Sequence, residues 1–431
     1  MDNMNQITKR LLNTIEVATS PTHCVQEAKR QLLEAGFVEL DMAAPFDIKK
    51  GMGYVVELYN SSIMAFRVNE QFQLGEGFRF AYAHTDFCGF RVKAKPEIVD
   101  GAYKKLNVEV YGGPILNTFM DRPLSISGKV ALRSKDLFHP EIRLVDFKRP
   151  LLTIPNLAIH LDRDVNKGKE LNSQIDMLPL LSMAGEHIKQ EEFVEALAKE
   201  LHVSPKDILD FELGLYIKEE GVEFGLKKEF ISAPRIDNIS SVQACLTGII
   251  TSERSHGIDV IACFDHEEIG SRSKKGADSN LLGLLLQKVY CSLGGSITSY
   301  NDALLKSHCI SVDVTHAVHP NKKEKSDITN KVYLNKGIAI KITNSQSYAS
   351  DCEMVGILIQ ICDKCGLPYQ KYYNRSDING GSTLGSIINS ILPVQTQDIG
   401  IPILAMHSAR ETMGVKDQVD LEKLLTAYFS L

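Results

Sequence analysis

Three short apolar runs, far apart in the chain, each end on or just before a residue that can bind a metal. Phe78-Arg-Phe-Ala-Tyr-Ala-His84 closes on a histidine, and Ile258-Asp-Val-Ile-Ala-Cys-Phe264 is followed by Glu267 and Glu268. Ile401-Pro-Ile-Leu-Ala-Met-His407 closes on another histidine. Runs of this length, bounded by polar residues, read as strands buried on both faces, the kind that α/β sheets contain. Ligands of such sheets bind beyond the carboxyl ends of the strands. Residues scattered along the sequence are therefore expected to converge on one sheet edge.

With Asp237 and Asp313, the residues His84, Glu268 and His407 form a set of the types that a two-zinc hydrolase needs, and Glu267 stands beside it. Each member has a plainer reading. His84-Thr-Asp86 is a His-x-Asp unit, in which the carboxylate can orient a ligating imidazole; alone, it reads better as a hydrogen-bonded strand-end histidine. Adjacent glutamates near a buried strand end are costly. A metal supplies a reason for them: one carboxylate binds it while its neighbour acts as general base. The alternative is an exposed acidic turn. Asp237 precedes a helix-like run, Ser240–Ile250, so it reads as a cap or as a carboxylate bridging two ions. Asp313 sits inside the strand-like run Val312-Asp-Val-Thr-His316, where Asp is disfavoured. Three carboxylates and a hydroxide would neutralise two Zn²⁺. With one carboxylate bridging, each ion would have three protein ligands and room for water and substrate.

Composition narrows the remaining classes. The chain has 431 residues, a net charge of −6 and 24% charged residues. That is ordinary globular composition, long enough for two domains. No basic stripe points to nucleic acid, and an acidic balance gives no attraction to anionic membranes. The longest apolar stretch, near Leu281–Leu286, is too short to span a bilayer, and the first residues lack the basic and apolar regions of a secretory signal. The nine scattered cysteines read as reduced, mostly buried thiols, and with them the expected location is the cytoplasm. Cys362-Asp-Lys-Cys365 lacks further ligands nearby and reads as two thiols on a helix ending at Gly366. There is no GxGxxG, Walker or Gly-x-Ser-x-Gly motif.

Along the chain, Ser20-Pro21 marks a helix start and Gly36 its end. Strands are expected at Tyr54–Tyr59 and Ser62–Val68 before the one ending at His84. From Arg91 the pattern shifts to short alternating strands, Leu106–Val110, Leu124–Ile126 and Lys129–Leu132, with turn signals at Gly112-Gly-Pro114 and Asp121-Arg-Pro123. A charged stretch from Gly185 to Glu212 looks helical, with a new turn at Ser204-Pro205, and 321–326 reads as a solvated loop. The expected architecture is an α/β/α zinc-peptidase domain with a mixed sheet, residues 1–90 and 234–431. A mainly β insertion, 91–233, interrupts it.

Several longer motifs carry a family likeness. They are Ala83-His-Thr-Asp86, Gly89-Phe-Arg-Val-Lys93, Tyr111-Gly-Gly113, Asp121-Arg-Pro-Leu124, Ile154-Pro-Asn-Leu-Ala-Ile-His160, Arg235-Ile-Asp-Asn238, Phe264-Asp-His-Glu-Glu-Ile-Gly270, Gly380-Gly-Ser-Thr383 and Met406-His-Ser-Ala-Arg410. With them, in order over nearly the whole chain, the sequence resembles the aspartyl aminopeptidases, the M18 metallopeptidases. The resemblance implies one zinc on His84, Asp237 and Asp313, and a second on Asp237, Glu268 and His407. Co²⁺ or Mn²⁺ can share such sites. It implies Glu267 as general base, Asp86 orienting His84, and Lys341 and Tyr348 as the substrate-pocket pair. His160 would reach into a neighbouring subunit's active site, and the insertion would build a tetrahedral dodecamer. The implied activity removes the first residue from peptides with a free N-terminus, acidic or neutral. Cys88 where Pro is frequent, the absence of tryptophan near Phe119, and Gly385-Ser386 in place of Gly-Pro depart from the pattern beside the ligand motifs. Two other functions compete. A related two-zinc deacylase or carboxypeptidase would recognise a free carboxylate in place of an amine. An inert assembly protein would typically have lost Glu267 or a ligand.

Overall fold

The structure, a computed structural model, describes residues 2–185, 192–378 and 380–431. It divides into two compact units, one formed by Met1–Asp86, Gly221–Met406 and Glu411–Leu431, the other by Phe87–Glu220 and His407–Arg410.

The first unit is built on a nine-stranded mixed sheet. Its strands are β1 (Val38–Leu40), β2 (Met52–Leu58), β3 (Ser62–Val68), β4 (Phe78–His84), β5 (Ile258–Phe264), β6 (His308–Val312), β7 (Ile338–Lys341), β8 (Tyr369–Tyr372) and β9 (Gln395–Gly400). They lie in the order β1-β2-β3-β5-β4-β6-β9-β7-β8. The central four, β5, β4, β6 and β9, run parallel. All seven residues of β5 are buried, as a strand covered on both faces requires. The Asp259 carboxylate in β5 is matched by the Arg254 guanidinium at 3.2 Å and the Asn69 amide at 2.8 Å.

Helices cover both faces. One apolar layer draws on Asp2–Val17, Pro21–Glu34, Ile236–Thr251, Cys352–Cys365 and Val415–Ser430. The other draws on Leu281–Ser292, Ile297–Leu305 and Leu384–Asn389. The helix Pro21–Glu34 starts as its sequence dictates. Ser20 Oγ accepts the His23 N–H, Pro21 supplies its fixed φ, and Gly36 leaves the last turn at φ +88°. Cys362 and Cys365 sit on a helix that ends at a left-handed Gly366. None of the nine cysteines forms a disulfide, and five are buried. Among the described residues no single helix is long and apolar enough to cross a membrane.

The second unit holds a six-stranded, wholly antiparallel sheet. Its strands lie in the order Glu141–Asp146, Leu124–Leu132, Ile208–Ile217, Gly89–Asp100, Tyr103–Tyr111 and Leu180–Met183. Leu124–Ile126 and Lys129–Leu132, expected as two strands, are one. Gly128 between them runs so close to its neighbour that a Cβ would meet the Glu212 carbonyl at 2.1 Å.

Two sequence expectations need correction here. In the stretch expected to be helical from 185 to 212, only Glu192–Leu201 is a described helix, Ile208–Ile217 is a strand, and residues 186–191 lie outside the described residues. The apolar Ile208, Phe211, Leu213 and Leu215 satisfied a strand, and the surrounding charges hid the alternation. The turn at Ser204-Pro205 is present, with Ser204 Oγ accepting the Lys206 N–H. Residues 221–233, expected with the insertion, belong to the first unit. There Val222–Phe224 and Phe230–Ala233 join a five-stranded sheet with Glu411–Gly414, Pro402–Leu404 and Thr315–His316.

Candidate metal centre

β5, β4 and β6 are adjacent and parallel, so their carboxyl ends open on one sheet edge. His84 is the last residue of β4 and is paired with Phe264, the last of β5. Asp313 follows β6. It lies between two strands rather than inside one, its N–H donating to Ile399 O at 2.9 Å. This corrects the expectation of Asp within a strand: β6 stops at Val312, and only the Asp313 N–H still reaches the neighbouring strand β9.

Asp237 comes from the first turn of the helix Ile236–Thr251, where Asp237 and Asn238 depart from helical geometry. The N-cap position of that helix is Arg235. The Asp237 N–H donates to Glu411 Oε2 at 2.9 Å, and the Asn238 amide donates to Val312 O at 3.0 Å. These two bonds tie the turn to both the β6 exit and the strand Glu411–Gly414. The peptide bond between Asp237 and Asn238 is cis.

One imidazole nitrogen is the focus. His84 Nε2 lies 3.3 Å from Asp237 Oδ1, 3.5 Å from Asp313 Oδ1 and 4.0 Å from Glu267 Oε2. One donor atom from each of His84, Asp237 and Asp313 can be chosen so that all lie within 4.8 Å of one another, and all three residues are buried. Burial alone would lower the His84 pKa. Asp237, Asp313 and Asp86 outweigh it and raise the value well above the ordinary one. Glu267 is pushed well above the carboxylate range, by burial first and then by Asp313, Glu268 and Asp86 against the opposing pull of His84. Three acids crowded round one buried imidazole demand positive charge. One imidazole nitrogen with buried carboxylate oxygens is a donor set that zinc accepts, so the residues fit the ion.

Asp86 acts more widely than expected. His84 Nδ1 is 3.0 Å from the Asp86 carbonyl and 3.4 Å from its carboxylate. That carboxylate also accepts the N–H groups of Glu267 at 3.1 Å and Glu268 at 3.2 Å. It thereby fixes the turn Glu267–Ile269, flanked by left-handed His266 and Gly270. Glu268 is half-buried on that turn.

Lys341, which by itself reads as a strand-end surface residue, is buried. Its Nζ lies 3.5 Å from Asp313 Oδ2 and 5.3 Å from the centre of the Tyr348 ring. Asn374 donates to the Tyr348 hydroxyl at 3.2 Å. Asn374 also lines a cavity of about 420 Å³, shared with His316, Tyr372, Ile403 and Met406.

His160 and His407 belong to the second unit. His160 is exposed. His407 does not close a buried strand: the strand stops at Leu404, and Ala405 and His407 take left-handed φ values of 58° and 65°. Its Nδ1 stands 3.1 Å from Gly113 O and its carbonyl accepts the Ile115 N–H. Pro402 and the left-handed turn cut short the apolar run that reads as one long strand. Sequence reasoning missed Glu411 and Asn238 as clamps on the Asp237 turn. Asn238 closes one quoted motif and Glu411 directly follows another, which is the only trace they leave.

A family model of the aminopeptidase I zinc metalloproteases (M18) matches residues 14–429. The chain belongs to the M18 family. M18 relatives include a protein of Clostridium novyi (strain NT) described as a probable M18 family aminopeptidase 2. It is 43% identical over 433 residues, with 100% of each chain covered. A Clostridium acetobutylicum protein of the same description is 42% identical with the same coverage. Among solved structures, one of the Ape4 and Nbr1 complex by cryo-electron microscopy holds a chain 31% identical, with a TM-score of 0.95, covering 99% of this chain and 86% of that one. The resemblance and the mixed α/β fold expected from the sequence are thus borne out.

Proposed function

We propose that this M18 protein is a two-zinc aminopeptidase that removes the first residue from peptides with a free N-terminus. The observation that carries the reading is the convergence of His84, Asp237 and Asp313 with Glu267 within 4.0 Å of the same imidazole nitrogen. His84, Asp237 and Asp313 would hold one ion; Asp237, Glu268 and His407 would hold the other, with Co²⁺ or Mn²⁺ as possible substitutes for zinc. When bound, the zinc ions polarise the scissile carbonyl and lower the pKa of water.

The remaining work falls to side chains. Glu267, held by its backbone on Asp86, takes a proton from the attacking water and passes it to the leaving amine nitrogen. Asp86 keeps the His84 ring in place. Lys341, against Asp313 and 5.3 Å from the centre of the Tyr348 ring, would face the substrate's first side chain together with Tyr348, and Asn374, bonded to the Tyr348 hydroxyl, lines the cavity that would give that side chain room. Three donors on Lys341 and one on Tyr348 favour an acidic side chain. Asp313 already takes up much of the lysine charge, so the preference for Asp or Glu over neutral residues is modest. The reducing cytoplasm fits nine cysteines that form no disulfide.

The test is a panel of dipeptides offered to zinc-loaded protein, each with its N-acetylated twin. Free peptides should be cleaved and acetylated ones left intact. Equal cleavage of both, or cleavage that needs only a free carboxylate, would select the deacylase or carboxypeptidase reading instead.

The second unit is proposed as the self-assembly module of a dodecamer, with the exposed His160 reaching a neighbouring subunit's site. Support comes from its surface. Leu137 and Phe138, at the tip between the strands Leu124–Leu132 and Glu141–Asp146, are each 90% exposed. The tip is organised to display them: Ser134 Oγ donates to Asp136 O and His139 O, and Asp136 Oδ1 accepts the Phe138 N–H. Ordered apolar residues held in water mark an interaction surface. Replacing both by serine should lower the mass measured by light scattering while leaving the melting temperature of the subunit unchanged. An unaltered mass would rule the tip out of the assembly.

A further inference from the structure

Asp398, in the middle of β9, is fully buried, and the chemistry above does not use it. Its Oδ2 accepts the Ala349 amide at 2.5 Å, fixing the backbone beside Tyr348. A Cβ on Gly385 would stand 2.6 Å from the same oxygen. Glycine there lets the helix that follows Gly380-Gly-Ser-Thr383 pass directly over the carboxylate. Burial raises the Asp398 pKa to about 6, opposed first by Lys341, then by the Ser311 and Thr383 hydroxyls and the Ala349 amide. β7 and β9 pair antiparallel with Ile340 opposite Ile399, a register that sets Lys341 opposite Asp398, whose charge is among those that stabilise the Lys341 ammonium. Lys341 then reaches Asp313 at 3.5 Å. Buried charges therefore alternate in sign from the sheet interior to the metal centre: Asp398, Lys341, Asp313.

We propose that Asp398 is a positioning residue that sets the Lys341 ammonium and the Tyr348–Ala349 backbone against the substrate side of the centre, an inference that rests on the aminopeptidase reading. The Lys341 ammonium is held by Asp313 at 3.5 Å and by the field of Asp398 on the facing strand; with the second charge removed, the first holds it alone. Without the Asp398 charge, Lys341 would lean on Asp313 alone and draw back from the substrate. The Ala349 amide gives the same carboxylate a second task, so the ammonium and the Tyr348 ring are placed by one group.

D398N keeps the volume and one acceptor oxygen and removes the charge. In zinc-loaded protein, kcat and KM should be measured for an Asp-initiated and a Leu-initiated peptide, with zinc content and melting temperature alongside. KM for the Asp peptide should rise about tenfold, the loss of one charge-assisted contact. KM for the Leu peptide and kcat for both should change less, and zinc should be retained. K341M should show the same pattern, and K341M/D398N should be no worse than K341M, because the two residues act as one unit. The double variant also removes both buried charges, so it keeps the comparison available if D398N folds poorly. A lower melting temperature with unchanged KM for both peptides would make Asp398 merely structural and overturn the proposal. So would a double variant worse than K341M. A wild-type protein that cleaves neither peptide would remove the aminopeptidase reading, and the proposal with it.

Discussion

Glu267→Gln should retain its zinc and lose activity by about 10²–10⁴-fold, the usual contribution of a general base. The side chain is nearly isosteric, and the turn that carries it is held through backbone N–H groups on Asp86, which the substitution does not touch. Glutamine simply cannot take a proton from water. Zinc content and turnover should be read on one preparation, because a variant that lost both would say nothing about proton transfer. Near-normal turnover with full zinc would place the base elsewhere.

Asp237→Ala should lose more metal than Asp313→Ala, since only Asp237 is proposed to serve both ions. Its carboxylate is 3.3 Å from His84 Nε2, closer than that of Asp313. The surrounding turn should survive, because the Asp237 N–H bond to Glu411 and the Asn238 bond to Val312 involve no atom of the deleted group. Loss of second-sphere support typically costs a metal site about 10–100-fold in affinity, and loss of a bridging ligand should exceed that. Elemental analysis after dialysis decides the matter: two zinc ions retained in Asp237→Ala would exclude the bridging role.

The parts of this molecule that could be read from sequence are those set by continuous runs. β3, β4 and β5 follow from apolar segments that need no distant partner to be recognised, and Ser20-Pro21 and Gly36 bracket their helix by local rules. Asp313 and His407 were harder to place because the backbone breaks beside them. The end of β6 at Val312 and a left-handed Ala405 interrupt apolar runs whose composition is continuous. Asp398 and Glu411 were invisible for another reason. Each is a buried acid whose defining partner is a backbone amide, of Ala349 and Asp237 respectively, and a backbone amide leaves no mark in a sequence. Lys341 shows the same limit from the other side, since only the fold reveals the carboxylate that lets a strand-end lysine be buried.

The strand order β3-β5-β4 also bears on how the chain is made. β3 and β4 are consecutive in sequence, yet they do not pair; β5, beginning at Ile258, must be inserted between them. Until the ribosome has delivered that segment, both strands present bare, apolar edges. At a synthesis rate of about 5–20 residues per second, the wait between the end of β4 and the end of β5 is roughly 10–40 s. Unpaired strands of this kind are templates for pairing with another chain. Residues 87–220, which form most of the second unit, emerge during that interval. A nascent chain stalled before β5 is therefore the species in which chaperone dependence and aggregation of this protein should concentrate.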